Sequence, residues 1–92
     1  MPVGRRCVVF GRVQGVFYRA SARQRAMSAG IVGHARNLED GTVEVLACGE
    51  EPAVLEFIQW LWIGPSAAKV SEVKIELVEF ESDAWPSRFK TF

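Results

Sequence analysis

The sequence predicts an α+β protein of the ferredoxin-like class, a βαββαβ sandwich with both helices on one face of an antiparallel sheet. Three observations support this class. Two stretches with helical periodicity alternate with stretches in which apolar and polar residues alternate one by one. The Asp40-Gly41 pair lies between two strand-like runs and is typical of a hairpin turn. The 92 residues suffice for one modest core, so we expect a single domain over residues 1–92.

The first half of the chain predicts a strand, a helix and a hairpin. Residues 5–13 have a strand pattern, and residues 20–29 have a helical pattern that ends at Gly30, the residue type most common just past a helix. Residues 31–38 and 42–49 then predict two strands that the Asp-Gly turn connects.

The second half predicts a helix and one long strand. Residues 51–63 have helical periodicity, with Pro52 suited to the first turn and Gly64 after the end. The apolar stripe of this helix comprises Val54, Phe57, Ile58, Leu61 and Trp62, while Trp60 projects beside it. Residues 69–80 alternate as a strand that places Val73, Ile75 and Leu77 on one face, and residues 88–92 predict a further short strand.

The charges balance overall but are unevenly distributed along the chain. There are 11 basic and 11 acidic residues, yet residues 1–38 contain seven arginines and no aspartate or glutamate. Such a block fits binding of nucleic acid, binding of a small anion, or a folded surface on which later acids complete the balance.

Several classes of protein are excluded by composition. No apolar run reaches the roughly 18 residues that a membrane span requires, and no leader pattern follows the first arginines. Cys7 and Cys48 are too few and too far apart for a zinc site, and we interpret them as reduced residues on strands. We therefore expect a cytoplasmic monomer that does not contact membranes.

The stretch GRVQGVFYR, residues 11–19, joins the first strand to the first helix. A loop that enters a helix presents unpaired backbone NH groups at the positive end of the helix dipole, and Gly15 allows an anion to approach the backbone. Arg19, in the first turn, adds donors that can hold two phosphate oxygens. The stretch therefore predicts a phosphate-sized anion site, although an exposed arginine after such a turn is also common without one.

Asn37 lies near the end of a strand, just before the Asp-Gly turn. An asparagine there often forms a turn by bonding to its own backbone. A carboxamide also offers a donor and an acceptor, so Asn37 could instead hold a water molecule in one orientation. The residue type alone leaves both interpretations open.

The chain resembles the acylphosphatase family over essentially its whole length. GRVQGVFYR is similar to the first family signature, GHARNLEDGTVE at residues 33–44 resembles the second, and GPSAAKVSEV at residues 64–73 also resembles the family. The resemblance implies hydrolysis of acyl phosphates to a carboxylate and inorganic phosphate. Fixed donors and Arg19 could stabilise the phosphoryl charge without a metal or cofactor, and neither motif offers a nucleophile with a base beside it, so we predict direct attack by water and no phosphoenzyme. The resemblance also implies that Arg19 and Asn37 are catalytic. The phosphate-binding NH groups would be those of Gly15, Val16, Phe17, Tyr18 and Arg19.

Two positions depart from the family pattern, since His34 and Ala35 stand where tryptophan and valine are usual. His34 has the opposite side-chain parity from Asn37, and we interpret it as a surface histidine. The ending FKTF also lacks the usual basic-aromatic residues, so it gives no support for a contact between this end and the site.

Two alternatives belong to other functional classes. The first is a module that binds acyl or carbamoyl phosphate without hydrolysing it. The second is an RNA-binding ferredoxin-like domain, supported by the seven arginines and by Phe10, Phe17 and Tyr18. Against the second, the strand at residues 42–49 has no aromatic residue, so we expect no nucleic-acid partner.

Overall fold

The computed structural model describes residues 2–79 and 85–92. It contains the predicted βαββαβ order followed by one more short strand. The elements are β1 (Pro2–Arg12), α1 (Tyr18–Ser28), β2 (Val32–Asn37), β3 (Val43–Glu50), α2 (Glu51–Leu61), β4 (Lys69–Val78) and β5 (Phe89–Thr91). The ferredoxin-like class is thereby confirmed. Residue 80, the predicted end of the fourth strand, lies outside the described residues.

The five strands form one sheet in the order β4-β1-β3-β2-β5. The pairs β1–β3, β1–β4 and β2–β3 are antiparallel, as predicted, but β5 pairs in parallel with β2. The sheet is therefore mixed and not purely antiparallel. The physical reason is that β5 runs opposite to β4 and joins the other edge of the sheet, where β2 also runs opposite to β4.

Both helices cover one face of the sheet, with α1 packed on β2 and β5 and α2 packed on β1 and β3. The core between them contains strand residues such as Cys7, Val9, Val43, Val45 and Ala47 and helix residues such as Ala22, Ala26, Val54, Phe57, Ile58 and Leu61. No helix among the described residues is long and apolar enough to cross a membrane. Both cysteines are free and buried, and burial raises the pKa of the Cys7 thiol to about 12.

The burial of the two tryptophans at the end of α2 is the reverse of the prediction. Trp60 is buried beside the rings of Tyr18 and Phe57, at centroid distances of 5.8 and 6.2 Å. Trp62, the residue after the last helical position Leu61, is 47% exposed. The prediction was wrong because the contact of Trp60 with Tyr18 of α1 depends on how the two helices pack.

The apolar face of the edge strand β4 is more exposed to solvent than its alternating sequence pattern predicts. Val73 is buried as predicted, but Ile75 and Leu77 on the same face are exposed. Since α2 packs over β1 and β3, it does not reach the outer half of β4.

Candidate active site

The loop between β1 and α1 has alternating backbone handedness. Gly15 has φ +73° and Phe17 has φ +63°, while Val16 between them has a negative φ. Alternation of this kind is typical of backbone turns in which successive NH groups face one anion. Val13 and Val16 are buried and anchor the loop, whereas Phe17 is 81% exposed. A left-handed conformation is costly for phenylalanine, so the fold holds this loop in a strained geometry.

The NH groups of this loop are available to a ligand. No side chain among the described residues caps the start of α1, and its first turn contains no acidic residue. The first helix-type hydrogen bond runs from the Ser21 NH to the Phe17 carbonyl oxygen at 3.0 Å. In the described part of the chain, no hydrogen bond is found from the backbone NH groups of residues 15–19. These donors surround the positive end of the helix dipole.

Arg19 lies in the first turn of α1, and its guanidinium donates a hydrogen bond to the backbone oxygen of Phe92. Phe92 is held in turn by its own NH, which donates to the Ala35 carbonyl oxygen at 3.0 Å, and by an edge-on contact with the His34 ring. The FKTF segment therefore contacts the arginine. The sequence pattern gave no support for this contact, because it depends on the parallel pairing of β5 with β2.

A cleft of about 450 Å³ opens beside the loop. Its lining residues are Val13, Gly15, Phe17, Tyr18, Arg19, Ala20, Arg23 and Thr91. None of them is acidic and two are arginines, so the cleft favours an anion. The sequence prediction missed Arg23 as a member of the site. Its position four residues after Arg19, on the same face of a helix, was the signal that could have revealed it.

Asn37 is the last residue of β2 and lies at the sheet end where β1 leads into the loop. The strand registers align Val9, Val43 and Asn37 in one row across β1, β3 and β2. Asn37 is exposed, and it is absent from the lining of the cleft. It therefore flanks the cleft without forming its wall.

Gln14 connects the loop to the hairpin that follows Asn37. Its side-chain amide donates hydrogen bonds to the carbonyl oxygens of Leu38 at 2.8 Å and Thr42 at 2.9 Å. Sequence reasoning gave Gln14 no role, since both of its partners are distant along the chain. These two bonds fix the position of the anion-binding loop relative to Asn37.

The turn after Asn37 is stabilised by Asp40. Its carboxylate accepts hydrogen bonds from the Thr42 hydroxyl at 2.6 Å and the Thr42 NH at 3.0 Å, and these bonds lower the pKa of Asp40. No side-chain hydrogen bond of Asn37 is found among the described residues. The turn-forming side chain is therefore Asp40, which leaves the Asn37 carboxamide available to the site.

The opposite face of the sheet carries a buried carboxylate. Glu44 accepts hydrogen bonds from Arg6 at 2.6 Å and Arg36 at 2.8 Å, and it lies 2.8 Å from His34 Nε2. Burial alone would raise the pKa of Glu44, but these partners lower it below its usual range. His34 faces away from Asn37, as its parity predicts, and it is partly buried beside Glu44 on this face of the sheet. The cluster also places two of the seven arginines that supported the RNA-binding alternative, Arg6 and Arg36, in ion pairs with Glu44.

No metal site is evident in residues 2–79 and 85–92, where no three His, Cys, Asp or Glu side chains are grouped closely enough to hold an ion. The metal-free chemistry that the resemblance implies stays a prediction, and an assay in a chelator tests it.

Comparison with known proteins identifies the family. The family model of the acylphosphatases matches residues 5–91. An acylphosphatase of Chromohalobacter salexigens is 55% identical over 71 residues, which cover 77% of this chain and 79% of that relative. A solved acylphosphatase structure from Coxiella burnetii has a TM-score of 0.91 and 37% identity, and covers 99% of this chain and 93% of that chain. The Bacillus subtilis acylphosphatase also gives 0.91, at 30% identity and 98% coverage of both chains. The chain therefore belongs to the acylphosphatase family.

Proposed function

We propose that the cleft beside the β1–α1 loop binds the phosphoryl group of an acyl phosphate, and that the protein hydrolyses the carboxyl-phosphate bond to a carboxylate and inorganic phosphate. The observation that carries the proposal is the row of backbone NH groups at residues 15–19, which have no hydrogen bond among the described residues, with Arg19 beside it and no acid among the described residues that line the cleft. Family membership supports the same reaction and does not favour a module that only binds acyl phosphate.

The reaction suits a site of fixed donors. The leaving group is a carboxylate whose parent acid has a pKa of about 4 to 5, like aspartate and glutamate, so it departs without a proton from the protein. In the transition state, negative charge spreads over the phosphoryl oxygens. Backbone NH groups already aimed at those oxygens, together with the Arg19 guanidinium, stabilise that charge with little reorganisation.

Asn37 would orient the attacking water. Its carboxamide lies at the same sheet end as the loop, and the bonds from Gln14 to the Leu38 and Thr42 carbonyl oxygens hold the two parts together. Holding a water in line with the leaving oxygen lowers the entropy cost of attack without requiring a charged base.

The side chains in the cleft support direct attack by water. Among the described residues, only Tyr18 and Thr91 bring hydroxyl groups to the lining. The Tyr18 hydroxyl donates to the Leu61 carbonyl oxygen at 2.6 Å, and burial raises its pKa. Thr91 has no carboxylate or imidazole beside it in the lining. No activated nucleophile is therefore found among the described residues that line the cleft, and we propose that no phosphoenzyme forms.

Hydrolysis of benzoyl phosphate in EDTA tests this function. The wild-type protein should turn over, and Arg19→Gln should lose at least about 3 kcal/mol of transition-state stabilisation, roughly 150-fold in kcat/KM. Arg25→Gln removes the same charge from α1 at a position over the Trp60 ring and should behave like the wild type. Absence of turnover in the folded wild type, or full activity in Arg19→Gln, would contradict the proposal.

The same proposal treats residues 1–92 as one domain, since every described strand belongs to one sheet.

The monomeric state, the cytoplasmic location and the absence of a nucleic-acid partner stay predictions. Size-exclusion chromatography with light scattering, and titration with mixed RNA at moderate salt, test the first and the last.

A further inference from the structure

Arg23 lies one helical turn beyond Arg19 on the cleft side of α1. Four residues of helix correspond to a rise of about 6 Å, and both side chains line the same cleft. No hydrogen bond or ion pair of Arg23 is found among the described residues. Arg25, by contrast, lies over the Trp60 ring at 5.4 Å. The cleft therefore contains two cations, of which the phosphoryl group requires only the first.

The geometry of the reaction indicates which part of the substrate approaches Arg23. Phosphoryl transfer places the attacking and leaving oxygens roughly in line on opposite sides of the phosphorus. Asn37, which would hold the water, lies outside the cleft lining, so the leaving group points away from Asn37 and into the cleft. An acyl group that extends from Arg19 along α1 would then approach Arg23.

We propose that Arg23 is a specificity residue that binds a second anionic group on the acyl part of the substrate. The preferred substrates are then acyl phosphates that carry a carboxylate or a second phosphate in addition to the scissile one. This inference rests on the proposed function. None of the described residues that line the cleft is acidic, so no carboxylate among them competes for Arg23 or repels the substrate.

The expected preference is modest because Arg23 is exposed. A pair of exposed charges contributes up to about 1 kcal/mol, so a charged acyl group should gain about two- to fivefold in kcat/KM at low salt. The gain should shrink in about 0.5 M salt, where charges are screened over a few ångströms. A salt-sensitive preference of this size is measurable only against an uncharged substrate of similar shape.

The test compares 4-carboxybenzoyl phosphate with 4-methylbenzoyl phosphate, whose acyl groups are similar in size and differ in charge. The quantity measured is the ratio of their kcat/KM values, in EDTA at low salt, after subtraction of spontaneous hydrolysis. Wild-type protein should favour the carboxylated substrate, Arg23→Gln should bring the ratio near one, and Arg23→Lys should keep part of the preference. Arg25→Gln is the control for loss of a positive charge from the same helix and should keep the wild-type ratio.

The outcomes separate the inference from the function on which it rests. Turnover of both substrates with equal kcat/KM in the wild type, or an unchanged ratio in Arg23→Gln, overturns the role of Arg23 and leaves acyl phosphate hydrolysis standing. An equal fall of the ratio in Arg25→Gln also overturns it, because the preference would then reflect the general charge of α1. Failure to hydrolyse either substrate overturns the proposed function itself.

Discussion

Replacing Gln14 by alanine should separate the anion-binding loop from the hairpin that carries Asn37. The change removes two hydrogen bonds, to the carbonyl oxygens of Leu38 and Thr42. Each contributes about 1 kcal/mol net, and both oxygens keep a backbone donor, since Thr42 accepts from the Leu38 NH at 2.9 Å and Leu38 accepts from the Gly41 NH at 3.2 Å. The expected loss of unfolding free energy is therefore about 1 to 2 kcal/mol. With a urea m-value of about 1 kcal/mol per M, the midpoint should fall by about 1 to 2 M.

The kinetic effect of Gln14→Ala should be larger than its effect on phosphate binding. The NH groups of residues 15–19 stay together in the loop, so inhibition by inorganic phosphate should change only slightly. A small displacement of the loop from Asn37 misaligns the water, and misplacement on the order of 1 Å can cost about a hundredfold in rate. Gln24→Ala, which shortens an exposed glutamine on α1, is the matched control. Wild-type stability and kcat in Gln14→Ala would refute this reasoning.

Three further outcomes are expected. Hydrolysis in ¹⁸O-labelled water should place the label in phosphate, since water attacks phosphorus, and label in the carboxylate would show attack at the carbonyl carbon instead. Glu44→Gln should lower the free energy of unfolding by about 2 kcal/mol at pH 7, because hydrogen bonds between charged groups are lost. The folded-state pKa of Glu44 is lowered, so its contribution is complete above the usual glutamate pKa and disappears as the pH falls. The difference between wild type and variant in urea unfolding should thus shrink toward pH 3, and a constant difference would contradict this. Tyr18→Phe removes a buried hydrogen bond to the Leu61 carbonyl oxygen and should lower thermal stability by about 1 to 2 kcal/mol, whereas an unchanged melting temperature would show that the bond contributes little.

The order of the elements could be predicted from the sequence because each helix and strand has its own local pattern of apolar residues. The Asp-Gly turn and the alternation in β3 fix the hairpin, and Gly30, with φ +72°, ends the first helix region where expected. The boundary of α2 was less predictable. Trp60 is buried against Tyr18 and Phe57 whereas Trp62 is exposed, and neither residue type indicates which of the two packs against α1.

The site was only partly predictable because several of its contacts depend on strand register. Arg19 and the loop residues are consecutive, so their proximity follows from the chain itself. The bonds of Gln14 to the hairpin and the contact of Arg19 with Phe92 join residues that are 24 to 73 positions apart. The burial of Glu44 among charged partners likewise depends on the pairing of β1, β3 and β2. These contacts require the three-dimensional arrangement of the sheet.

The most direct measurement of the proposed roles is the affinity of inorganic phosphate for the wild type, Arg19→Gln and Asn37→Ala, set beside the kcat of each for benzoyl phosphate. Loss of charged hydrogen bonds should weaken phosphate binding by Arg19→Gln at least about tenfold and also abolish turnover. Asn37→Ala should bind phosphate within about twofold of wild type while its kcat falls by about a hundredfold or more, because only the water loses its orientation. Equal losses of phosphate affinity in the two variants, or wild-type affinity in Arg19→Gln, would contradict the division between an arginine that holds the phosphoryl group and an asparagine that directs the water.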